Sequence, residues 1–398
     1  MSAPDPAAFV RCLEKGLGRA HLILQRDDPA PFRPALLSAC VENVGYLHFD
    51  SADRAAYLFE LIDLAGKPEF FLSGLIQALD NPVPGQSNWD RERVFMLLRR
   101  FAERGCSEAR EAMYRTFSRL PYEAQTAVEI VRLDGEAGRL ITESHLLQCG
   151  SEDLEYDRSE LLAALRAPVA HDTNLSDTPP RNRPYAEIRR LIREGKPTAL
   201  ADWGERASEE DLRLAADDLL LESGPERLRD YLRIFADRPF PYGHNAILPM
   251  ARHTVDHVSW AAVMALSQFT HPDIRTLAEE FAPHESRHTE TIWLMARNAR
   301  PEDWALLESW LDVEMDYSDY DVLTFAALDF IKCNASPAAA RSLFLLYEHG
   351  ACEFCRERVV ERILALNCLP DWMRAECRYD AATRIRRLTD ARTPAPAE

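Results

Sequence analysis

The chain has 398 residues, 46% of them apolar, with 15 glycines, 25 prolines and a formal charge of −18. That apolar content excludes global disorder, and the acidic field opposes a general nucleic-acid coat. Scarce glycine with abundant proline suits short helices ended by proline better than glycine-turned strands. Nine cysteines, odd in number and scattered, read as reduced thiols in a cytoplasmic protein. The opening Met-Ser-Ala-Pro-Asp-Pro lacks a basic region followed by an apolar stretch, so no signal peptide is expected. No run of about 18 apolar residues occurs, so no membrane partner is expected.

In chain order, one helical pattern follows another. Tyr57, Leu58, Leu61, Ile62 and Ala65 form an apolar stripe, ended by Gly66-Lys67-Pro68. Val94, Leu97, Leu98 and Phe101 form the next, between breaks at Asn81-Pro82 and Leu120-Pro121. Residues 168–184, containing Thr178-Pro179-Pro180, predict an exposed loop or linker. It separates an N-terminal helical-repeat arm, 1–167, from a C-terminal arm, 185–388. After Gly224-Pro225 come the stripes Leu228, Tyr231, Leu232, Phe235 and then Val359, Val360, Ile363, Leu364. Residues 389–398, ending Thr-Pro-Ala-Pro-Ala-Glu, predict a disordered tail. Alternating strand-like stretches are absent, so the fold class is all-α.

A weak internal repeat runs through these helices. Cys106-Ser-Glu-Ala-Arg, His271-Pro-Asp-Ile-Arg and Cys352-Glu-Phe-Cys-Arg each open a helix and follow an apolar one. Their spacings are close to four and two periods of ~40 residues. The Pro272-Asp273-Ile274-Arg275 step resembles the Asp-x-x-Val-Arg signal of HEAT repeats. The resemblance implies a superhelical stack of antiparallel helix pairs, a HEAT-like α-solenoid, whose concave face binds another macromolecule.

Several segments suggest chemistry. His284-Glu285-Ser286-Arg287-His288 matches the zinc-protease pattern H-E-x-x-H, but Pro283 and the charged Arg287 suit a polar helix start better. His253 and His257 repeat the i, i+4 spacing, so the two pairs could share an ion on successive hairpins. The His284-Glu285 dyad resembles those that hold the iron pair of deoxyhypusine hydroxylase, although that family uses several such dyads. Cys352-x-x-Cys355, with Cys368 and Cys377 downstream, allows a zinc site; alignment of Cys355 with Ala109 predicts a small packing residue instead. Asp312, Glu314 and Asp316 mimic the start of a calcium loop that lacks its glycine and final glutamate. An inter-helix turn is the simpler reading there, with Asp319 or Asp321 capping a helix over 322–332. Arg181, Arg183, Arg189, Arg190, Arg193 and Lys196 could touch phosphate, as in the basic groove of HEAT-like DNA glycosylases. Glu187 and Glu194 interrupt that run, and stacking aromatics are nearly absent.

The sequence therefore predicts a non-enzymatic helical-repeat scaffold or adaptor with no catalytic residue, cofactor or metal. Its partner is expected to be a protein with a basic surface, met by Trp310, Asp316, Tyr317, Asp319 and Tyr320. The alternatives are a metal-dependent enzyme using His253, His257, His284, Glu285 and His288, and a nucleic-acid-processing repeat protein.

Overall fold

The computed structural model describes residues 6–42, 51–81, 88–119, 123–150, 158–166, 183–197, 199–313 and 315–390. Among them are twenty-two α-helices and no strand. The stripes read from sequence face inward. Tyr57, Leu58, Leu61, Ile62 and Ala65 are at most 1% exposed, and Leu228, Tyr231, Leu232 and Phe235 are all buried. Helices begin at Ser107, Pro272 and Glu353, where the repeat frame places them. Among the described residues no helix is long and apolar enough to cross a membrane.

The chain divides into two compact units: Met1–Ser176 with Ala351–Glu357 and Leu369–Glu398, and Asp177–Gly350 with Arg358–Cys368. All of 168–184 except Arg183 and Pro184 lies outside the described residues, as does 391–398. The single C-terminal arm expected over 185–388 is thus shared, because 369–388 clusters with the N-terminal helices. The last described turn also extends further than expected. Thr389 lies in helix Thr383–Asp390 and is 1% exposed, its hydroxyl donating to Arg386 O at 2.9 Å.

In the first unit, the turn and helices at 371–390 are fastened to helices Pro6–Lys15, Arg19–Arg26 and Ser51–Ala65. Ala381 N–H donates to Gly16 O (2.8 Å), Arg19 Nε to Glu376 Oε1 (2.6 Å), and Arg386 Nη1 to Glu60 Oε1 (2.9 Å). His21 stacks on Tyr379 with 3.8 Å between ring centroids. The backbones approach so closely that a Cβ on Gly18 would lie 1.9 Å from Glu376 O, which requires glycine there. At the centre, Arg356 and Asp380 form a fully buried bidentate pair, Nε to Oδ2 at 3.0 Å and Nη2 to Oδ1 at 2.9 Å. Asp380 Oδ1 also accepts Ala382 N–H (2.9 Å), so the buried carboxylate is well solvated by protein donors. Helix Ala124–Gln148 is broken at Gly135, whose φ of 55° and ψ of −125° leave the helical region.

The second unit advances by a repeated device. Gln268, just beyond helix Asp256–Leu266, donates its amide to Ala236 O (2.5 Å), just beyond helix Pro225–Arg233. Asn298, after helix His288–Ala296, donates to Phe269 O (2.9 Å). Asn334, after helix Tyr317–Cys333, donates to Ala296 O (2.7 Å). Each amide thus satisfies a backbone carbonyl at or just beyond the C-terminal end of an earlier helix, where intrahelical partners run out. Arg275 Nη2 of helix Pro272–Phe281 donates to Asp303 Oδ1 (2.9 Å) at the start of Asp303–Leu311.

Candidate functional site

The segment singled out at 310–321 joins the end of helix Asp303–Leu311 to the start of helix Tyr317–Cys333, and two of its rings are buried. Trp310 is 7% exposed and stacks on His288, with 4.3 Å between centroids. Tyr320 is 3% exposed and donates its hydroxyl to Leu311 O at 3.1 Å. Burial pushes its phenol well above the usual range. Of the five residues expected to meet a partner, these two therefore anchor the turn from inside. The helix starts at Tyr317, five residues before the expected 322, because Asp316 rather than Asp319 or Asp321 caps it, accepting Ser318 N–H at 2.8 Å. That bond, backed by further donors from Ser318 and Asp319, holds the Asp316 carboxyl below the usual carboxylate range.

Between the anchors the surface is both acidic and apolar. Asp312, Asp316 and Asp319 are exposed and Tyr317 is half-buried; Glu314 lies outside the described residues. Val313, Met315 and Val322 are 37–41% exposed. Asp312 Oδ1 lies 3.5 Å from His349 Nε2. Three carboxylates and three exposed apolar side chains thus share eleven residues on a fixed frame, an arrangement able to meet cationic and aliphatic groups together.

The four histidines of the alternative metal reading go separate ways. His253 Nδ1 accepts Val255 N–H (3.1 Å), and His257 Nε2 lies 3.3 Å from Glu226 Oε1. His284 and Glu285 are exposed at a short 3-10 turn. His288 stacks on Trp310, and burial lowers its pKa. None of the five residues, Glu285 included, belongs to a group of three ligand atoms close enough to share an ion, among the described residues. Arg287 donates to Ser259 Oγ (2.9 Å) and lies 4.1 Å over the Phe281 ring, so its charge is held inward. It borders a cleft of about 500 Å³ with Arg229, Arg233, His257, Trp260 and Glu290. The Glu290 carboxyl there is raised by burial.

Three residues of the basic stretch are paired with carboxylates within the fold, while Arg193 and Lys196 are exposed. Arg183 lies 3.6 Å from Glu187, Arg190 pairs with Glu194 (3.0 Å) and Arg189 Nη2 donates to Asp218 Oδ1 (2.8 Å); Arg181 lies outside the described residues. Cys352 and Cys355 are buried, as is Ala109, and no disulfide joins any of the nine cysteines.

One cluster escaped the sequence reading. His244, His271 and Asp273 each bring one ligand atom within 4.8 Å of the other two. The His-x-Asp spacing at 271–273 was a visible signal, but His244 is 27 residues away and only the fold brings it in. No protein-family model matches the chain, and neither a curated protein nor a solved structure does.

Proposed function

We propose that the protein is a non-enzymatic helical-repeat adaptor, acting in the cytoplasm, that binds a protein partner through residues 312–322, the turn at 312–316 and the helix start that follows it. The partner segment carries lysine or arginine side chains interleaved with aliphatic ones. The observation behind this reading is the turn itself: exposed Asp312, Asp316 and Asp319 among Val313, Met315 and Val322, braced by buried Trp310 and Tyr320. Apolar contact would supply affinity, while the carboxylates would steer and select the partner. A HEAT-like stack of antiparallel helix pairs is the scaffold we infer. Its support is the amide ladder of Gln268, Asn298 and Asn334, which links successive helices at intervals of 32, 29 and 38 residues. The unbridged cysteines fit a reducing compartment.

Calorimetric titration with a synthetic peptide alternating lysine and leucine or valine tests the reading. The intact chain should bind it, more weakly as salt rises. The triple variant Asp312→Asn, Asp316→Asn, Asp319→Asn should bind at least about tenfold more weakly. Its helix content should persist, since asparagine at 316 remains a good cap. Equal binding by the triple variant, or no binding at low salt, would reject the turn as the contact surface.

A further inference from the structure

We propose that His244, His271 and Asp273 form a site for one divalent transition-metal ion of the zinc class. The donor set is two imidazoles and a carboxylate, which zinc accepts readily. Asp273 Oδ2 lies 3.2 Å from His244 Nε2 and 3.6 Å from His271 Nδ1. For metal–ligand bonds of about 2.0–2.2 Å in tetrahedral geometry, neighbouring ligand atoms sit about 3.3–3.6 Å apart. Those two separations already match; the His244 and His271 rings, 3.9 Å apart with 34° between their planes, must turn so that both in-plane lone pairs aim at the ion. His271 Nδ1 accepts Asp273 N–H at 3.2 Å, so its lone pair is engaged in a long capping bond. Binding there exchanges that long capping bond for a bond to the ion.

The frame around the ligands is fixed from several directions. Gly243, with φ of +80°, turns the chain immediately before His244. The His244 side chain is only 12% exposed, set against Phe269 (5.9 Å between centroids) and His271 (3.9 Å). Asn298 holds the backbone on both sides of His271's approach: its Oδ1 accepts His271 N–H (2.9 Å) and its Nδ2 donates to Phe269 O (2.9 Å). Such outer support is what orients ligands in metal sites. Asp273 is half exposed, which leaves the remaining coordination position open to water. An ion there would clip the turn at 243–252 to the head of helix Pro272–Phe281, whose other end is held by the Arg252–Glu280 pair (Nε to Oε1, 2.9 Å). This inference is independent of the partner-binding turn.

Titration of the full chain with Co²⁺ tests it. One equivalent should bind with visible bands of a low-symmetry nitrogen and oxygen site, without a near-ultraviolet thiolate band, and zinc should displace it. His244→Ala and His271→Gln should each abolish that equivalent, and Asp273→Asn should weaken it at least about tenfold. Circular dichroism shows whether each variant is folded; Asp273→Asn, nearly isosteric, decides the matter if the histidine variants unfold. Absence of the bound equivalent, its persistence in the folded variants, or a thiolate band accompanying it would overturn the site.

Discussion

The two units are stabilised over different ranges of sequence. In the first, Arg19 reaches Glu376 and Arg386 reaches Glu60, residues 357 and 326 apart. In the second, side-chain amides step forward by 29 to 38 residues, from one helix of a row to the next. Local steps close short loops, and each is supported by its neighbours. Closure between the beginning and end of a chain must overcome more entropy in fewer places. The buried Arg356–Asp380 pair and the glycine contact at Gly18 sit where that closure is made. A periodic region can therefore be read from pattern, whereas a closing region depends on single residues that no pattern announces.

The sharpest way to break this contrast is Asp380→Ala. It strands the Arg356 guanidinium inside the first unit, and we expect a loss of about 3–5 kcal/mol in urea unfolding. Hydrogen exchange should rise across 6–65 and 371–390; a loss under about 1 kcal/mol would mean that the pair is not what holds the closure. Glu92 offers a second test in the same unit through pH. Burial, aided by Glu129, raises its carboxyl to about 7, from an ordinary value near 4.5 in the unfolded chain. The folded state therefore holds a proton that the unfolded state releases, and stability attributable to Glu92 falls as pH rises from about 4.5 to 7. Glu92→Gln should stabilise the protein by on the order of 2 kcal/mol at pH 8 and change little at pH 4. An equal effect at both pH values would reject the protonated carboxyl. The smallest effect belongs to the second unit. Asn298→Ala removes the bonds to Phe269 O, Leu294 O and His271 N–H, yet only one step of the ladder. A loss of about 1–2 kcal/mol is expected, with faster exchange confined near 269–298; a loss as large as that of Asp380→Ala would erase the distinction.

The helical class was legible because stripes such as Val94, Leu97, Leu98 and Phe101 are buried as their helical spacing predicts, although residues 92–98 are buried all round. The starts at Ser107, Pro272 and Glu353 were legible because local chemistry sets a helix start. The sharing of 369–390 with the first unit was not, since Arg19–Glu376 and Ala381–Gly16 leave no spacing to detect. Helix Thr383–Asp390 was cut short because a following Thr-Pro-Ala run resembles a tail and hides the Thr389 contact. At the candidate site, the acidic turn was visible in composition, but which rings face inward depended on His288 arriving from another helix and on the turn folding Tyr320 back onto Leu311. The i, i+4 histidine pairs were conspicuous and diverge; the compact His244, His271 and Asp273 group had no single motif to mark it.

Residues 312–322, proposed above as a braced surface for a basic partner segment, can be probed in place. Hydrogen exchange with mass spectrometry, run with and without the alternating lysine–aliphatic peptide at low salt, tests that proposal most directly. Slowed exchange is expected to concentrate in peptides covering 312–322 and to be abolished by the triple aspartate-to-asparagine variant. Protection centred elsewhere, on the Arg229, Arg233 and Trp260 cleft for example, with 312–322 unchanged, would contradict it.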